Sequence, residues 1–171
     1  EILSLEIMIN IFKNCFPRKR NNKLLNIITE GEVKYTFPYN SPKTDYIIKL
    51  MNKSIAVSVT RAMHFGEFIF TEDKARKIIS GKVRRIHESN KNVLPPYNWN
   101  NQILHVITQR DEYAKILKKV FNELDTEYTD KIFIICSVIE SPLPFMRDEY
   151  ISAGIIENTD NAILQINKNY L

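Results

Sequence analysis

The sequence predicts an α/β domain in which helices flank a mixed central sheet. Three observations carry that prediction. Residues 131–139, "KIFIICSVI", form a continuous apolar run rich in β-branched residues, as a strand covered on both faces would. Residues 111–124 place Tyr113, Ile116, Leu117, Val120, Phe121 and Leu124 at i, i+3, i+4, i+7, i+8 and i+11, which is one helical face. Residues 103–108, "ILHVIT", are a further buried-strand candidate. Strand, helix and strand in that order make a parallel unit with a right-handed crossover.

The remaining elements follow in chain order. Residues 2–12 set Ile2, Leu5, Ile9 and Phe12 on one helical stripe. This segment resembles a signal peptide only superficially, because Glu1 and Glu6 stand where a signal would be basic. Residues 24–29 are expected to form a second short helix ending at Gly31. Residues 33–37, "VKYTF", read as a strand, and "PYNSPKT" as turn chemistry. Residues 45–50 and 54–60 read as two strands around a turn at Met51, Asn52 and Lys53. Thr71 is a helix N-cap, with Glu72 and Asp73 suited to the first turn. Gly81 fits the end of that helix or a break before a basic continuation. "NVLPPYNWNN" is an irregular loop, and residues 162–166 are a candidate edge strand.

One domain is expected over residues 1–171. It divides into a helical N-terminal segment (1–30), a core (31–140) and a C-terminal extension (141–171). Hydrophobic residues make up 44% and charged residues 26%, enough for a core without staples. The two cysteines, Cys15 and Cys136, allow no disulfide framework and no metal knuckle. Cys136 reads as a small buried hydrophobe. The expected compartment is intracellular, cytoplasm or nucleus, with no secretion and no membrane partner. With four glycines, dinucleotide and P-loop phosphate motifs are excluded. His64, His87 and His105 lack zinc spacing with either cysteine.

Charge is unevenly placed. Between Lys74 and Lys91 stand seven cations and one acid, a net +6 in a chain of net +4. Everything else therefore sums to −2. A second run, from Lys13 to Lys23, has five cations and no acid. Clustered cations suit a phosphate backbone, because each neutralised phosphate releases counterions. The competing reading is a solvated helix face. Lys74, Arg76, Lys77, Lys82, Arg84 and Arg85 are the candidate nucleic-acid contacts, to DNA or RNA. No aromatics interleave with them, so a base-stacking platform is not indicated.

The element order, with Asp45 at the mouth of a hairpin, resembles the core of the PD-(D/E)XK nuclease superfamily over roughly residues 20–140. The resemblance implies a restriction-endonuclease-like core, α-β-β-β-α-β. It also implies an Asp beginning the second strand, and an acid and a lysine two residues apart on the third. Two carboxylates on adjacent strands would hold Mg²⁺, which activates a water and stabilises developing phosphate charge. Asp45 matches the first acid. The other two positions fall near Ser58 and Thr60, which are neither carboxylate nor ammonium. On this strand Ile55, Val57 and Val59 are expected to face the core, and Ala56, Ser58 and Thr60 the side of the chemistry.

The implied site is therefore active through migrated groups, or vestigial. Glu30, Glu32, His64 and Glu67 are candidate replacement ligands, with Asp45 and Glu67 the metal pair. Arg61 is the candidate replacement cation. Asp45, Ser58, Thr60 and Arg61 thus form the candidate catalytic group, with Mg²⁺ the cofactor if it is catalytic. Each has a plain structural role as its rival: a turn for Asp45, a salt bridge for Arg61, ordinary strand residues for Ser58 and Thr60. His105 reads as a core histidine bonded to a neighbour, and Tyr97 and Trp99 as packing residues. The alternative functions are a non-catalytic interaction scaffold, including a homodimer through the first helix, and an unrelated enzyme with a pocket near Tyr97 and Trp99.

Overall fold

The computed structural model describes residues 1–15, 25–37, 41–50, 53–63, 69–139 and 163–165. Its elements are helix α1 (Ile2–Cys15), strand β1 (Leu25–Thr29), a 3-10 turn (Glu30–Glu32), strands β2 (Tyr46–Leu50) and β3 (Lys53–Ala62), and helix α2 (Glu72–Asn92). Strand β4 (Asn101–Thr108), helices α3 (Asp111–Asn122) and α4 (Thr126–Thr129), and strands β5 (Ile132–Val138) and β6 (Ile163–Gln165) complete them. The protein is an α/β fold, with a mixed six-stranded sheet flanked by helices. The strands lie in sequence order, β1 to β6. The first three form an antiparallel meander, β3, β4 and β5 are parallel, and β6 is an antiparallel edge.

Alternation along the strands assigns each face its helices. Tyr46, Ile48, Val57, Ile103 and Ile135 pack beneath Met8 of α1. On the other face, Leu104, Val106, Ile132, Cys136 and Val138 pack against Ala75, Ile79, Val83 and Ile86 of α2 and Leu117 and Val120 of α3. A third cluster, of Ile28, Val33, Tyr35 and Ile47, is covered by Val93, Tyr97 and Trp99. Tyr97 and Trp99 are thus packing residues. Burial of a side chain such as Leu117 contributes about 2 kcal/mol of transfer free energy.

Three local expectations are corrected. Residues 24–29 were expected to be helical, yet β1 runs from Leu25 to Thr29 and pairs with β2. A short apolar run has no period long enough to separate helix from strand, and the free edge of the β2–β3 hairpin decides. Residues 33–37 form no strand; a single bridge joins Tyr35 to Val93. Their alternation instead buries Val33 and Tyr35, while Thr36 N–H donates to Asn92 O at 2.7 Å. Gly81 neither ends nor breaks α2. Buried Ala75 and Ile79 before it, and Val83 and Ile86 after it, hold the helix through the glycine, outweighing a propensity cost of about 1 kcal/mol.

Other expectations match. Thr71 caps α2, accepting from Lys74 N–H at 3.4 Å. Cys136 is buried, and burial pushes its thiol up to about 12, so it stays protonated and unreactive. No helix among the described residues is long and apolar enough to cross a membrane. The turn residues Met51 and Asn52 and the segment after Ile139, apart from β6, lie outside the described residues, as do His64 and Glu67.

Candidate functional site

The hairpin register places Asp45 opposite Ser58. Tyr46 pairs with Val57, so the residue before Tyr46 faces the residue after Val57. Asp45 N–H donates to Val57 O at 3.0 Å and extends the pairing by one step. Next to it, Thr44 is buried and its hydroxyl donates to Val57 O at 2.9 Å. The Asp45 carboxylate then turns back onto β3, where Val59 N–H donates to Oδ2 at 2.8 Å. Asp45 and Ser58 share the face covered by α2, the side opposite Val57.

Helix α2 supplies the cation. With buried Ala75, Ile79, Val83 and Ile86 defining its inner stripe, Lys82 falls on the border of that stripe at 100° per residue. Its stem is half-buried, and Nζ donates to Val59 O at 2.7 Å. Lys82 and Asp45 therefore hold opposite groups of the same residue. Arg85, one turn further, reaches the same space. A pocket of about 280 Å³ results, lined by Glu30, Ser41, Lys43, Asp45, Ser58, Lys82 and Arg85. Four segments build it: the 3-10 turn after β1, the loop before β2, the β2–β3 pair and α2.

Burial sets the electrostatics. It pushes the Asp45 carboxyl above the ordinary carboxylate range, against the opposing pull of Val59 N–H and Lys82, and neighbouring Glu1 pushes the same way. It pulls the Lys82 ammonium down, and Arg85 adds to that while Asp45 opposes it. An acid raised and a base lowered, side by side in a cleft, is a pattern that concentrates at functional sites. Glu30 is bridged by Lys43 at 3.4 Å.

The candidate residues thus separate. Asp45 and Ser58 come together as expected. Thr60 and Arg61 are not pocket-lining; the cation beside Asp45 is Lys82 of α2, while Arg61 stands exposed on β3. Of the candidate acids, Glu30 lines the pocket. Glu32 does not, since its carboxylate caps the turn, accepting from Thr29 N–H and Thr29 Oγ1 at 2.8 Å each. Of the six candidate contacts on α2, Lys82 and Arg85 line the pocket. Arg76 pairs with Glu123 of α3 at 2.6 Å, and Arg84 with Glu88 at 3.9 Å. Lys74 and Lys77 are exposed elsewhere on the helix. Ser41 and Lys43 escaped the sequence reading. The available signal was Lys43 standing two residues before Asp45, hence on its side of an extended chain.

The donor set decides what the pocket fits. Mg²⁺ needs several oxygen ligands in near-octahedral array. Here two carboxylates and three cations line the space, Glu1 lies beside Asp45, and both lining carboxylates are already engaged. No group of three His, Cys, Asp or Glu side chains among the described residues comes together to hold a metal. With both lining carboxylates engaged, no hydrolytic step is assigned to these residues.

A second polar cluster lies on the α1 face. His105 is fully buried, its Nδ1 at 2.6 Å from Ser4 Oγ and its Nε2 at 2.8 Å from Ser137 Oγ. Ser4 Oγ also meets Tyr46 Oη at 2.8 Å. Burial pulls His105 down to about 4, leaving a neutral imidazole with both nitrogens bonded. This is the satisfied core histidine expected, and it pins α1 to the sheet. Comparison of the chain with protein-family models, with curated proteins and with solved structures found no match.

Proposed function

We propose that this protein is a nucleic-acid-binding domain of nuclease-like architecture whose pocket at the mouth of the β2–β3 hairpin takes a backbone phosphate. The observation that carries the reading is the convergence of Lys43, Lys82 and Arg85 with the Ser58 hydroxyl around one space of about 280 Å³. Arg85 and the Ser58 hydroxyl have no hydrogen-bond partner among the described residues. The element order α-β-β-β-α-β and the position of Asp45 support descent from a nuclease scaffold.

The test is fluorescence anisotropy of labelled DNA and RNA oligonucleotides between 50 and 200 mM salt. Three phosphate contacts predict an affinity loss of about 40-fold across that range. Absent binding at low salt, or binding indifferent to salt, contradicts the proposal.

A further inference from the structure

We infer that a nucleic-acid strand crosses the outer face of α2 at Gly81, where the missing side chain lets its sugar–phosphate backbone lie against the helix between Lys77 and Arg84. The inference rests on the nucleic-acid reading above and adds a contact surface outside the pocket.

The fold does not ask for a glycine at position 81. Gly81 lies inside the regular helix, and a Cβ built there would meet nothing within 4 Å. Neither a turn nor a close packing contact therefore requires it. Glycine is also the least favourable residue after proline in a helix interior, so an alanine would serve the helix better.

Its surroundings are cationic. On a helix surface a residue neighbours those three and four places away. Around Gly81 these are Lys77, Ile78, Arg84 and Arg85. Ile78 packs against the core, so the three side chains that rim the bare spot are cations. Lys77 has no ion pair or hydrogen bond among the described residues. Arg84 meets Glu88, the next acid along this face, at 3.9 Å and stays 77% exposed. Ser80 adds no obstruction, because its hydroxyl turns back to donate to Arg76 O at 2.6 Å.

Spacing selects a chain of phosphates. Lys77 and Arg84 stand about 10 Å apart along the helix axis, further than one phosphate group reaches. Arg85 continues the line into the pocket it helps to form. A polyanion with charge repeated along its length meets all three, and each contact releases counterions. The N–H groups in mid-helix are engaged by the helix itself, so what Gly81 supplies is closeness to the cations.

The experiment titrates labelled DNA and RNA oligonucleotides into the full chain and into its Gly81→Ala and Gly81→Leu variants. Gly81→Ala should raise the thermal midpoint by about 2–4 °C and yet bind more weakly. Gly81→Leu should lower affinity about tenfold, the loss of one charge-assisted contact. Lys77→Ala should reduce the slope of log affinity against log salt by about 1. Unchanged affinity in both Gly81 variants overturns the inference and leaves the nucleic-acid reading standing. A lower thermal midpoint in Gly81→Ala makes the glycine structural and overturns it as well. Polyglutamate that displaces the strand at equal charge, and is equally weakened by Gly81→Leu, assigns the face to an acidic protein instead. Wild-type protein that binds no strand at low salt overturns both readings.

Discussion

Two polar clusters sit on opposite faces of one sheet, and they differ in closure. On the α1 face, Ser4, Tyr46, His105 and Ser137 are sealed and bonded to one another. On the α2 face, Asp45, Ser58, Lys82 and Arg85 open onto a pocket, and some of their donors have nothing to bond among the described residues. A buried polar group must be satisfied internally, and once satisfied it specifies a unique packing. An open group with spare donors is satisfied by solvent or ligand. Chemistry alone would have favoured the wrong cluster: serine–histidine contacts suggest a nucleophile, yet no substrate reaches a fully buried His105.

The comparison can be broken most forcefully at His105. His105→Ala removes a buried ring and strands the Ser137 hydroxyl, at a cost of about 3–5 kcal/mol in chemical denaturation. Oligonucleotide affinity of the folded fraction should not change. A smaller loss than about 1 kcal/mol would mean the network is not what fixes α1.

Acid is the next probe. The folded state holds His105 near 4 against an ordinary 6.5, so the native state binds the proton less readily than the unfolded chain. Its stabilising contribution is complete above 6.5 and is lost as pH falls from there toward 4. That difference corresponds to roughly 3 kcal/mol. Denaturant midpoints measured at intervals across the window should fall in the wild type and fall less in His105→Ala. Parallel decline in both proteins would assign the acid sensitivity elsewhere.

The smallest expected effect is on the other face. Arg85→Ala should leave stability within about 0.5 kcal/mol of the wild type, because the side chain is exposed and without an ion pair among the described residues. A thermal melt checks it. A large loss would make Arg85 a structural residue and remove the main argument for a ligand-directed pocket.

Much of this architecture is legible in the residues themselves. The apolar stripe from Tyr113 to Leu124 and the β-branched run ending at Val138 have one physical solution each. The facing of Asp45 and Ser58 follows from strand alternation and hairpin register. Less legible was the state of Leu25–Thr29, where five apolar and polar residues suit a helix as well as a strand until β2 offers an edge. Gly81 misleads for a similar reason: its local preference is real, but burial on either side outweighs it. Lys82 was hidden within a string of cations that the sequence cannot rank. Only the packing of α2 against β3 separates Lys82 and Arg85 from Arg76, which Glu123 neutralises.

The most direct test follows backbone amide resonances while a short oligonucleotide is titrated into the protein. The account predicts shifts centred on Asp45, Ser58, Val59, Lys82 and Arg85, with His105 and Ser137 across the sheet unmoved. Shifts that bypass those pocket residues and gather on α1 or α3 would contradict it.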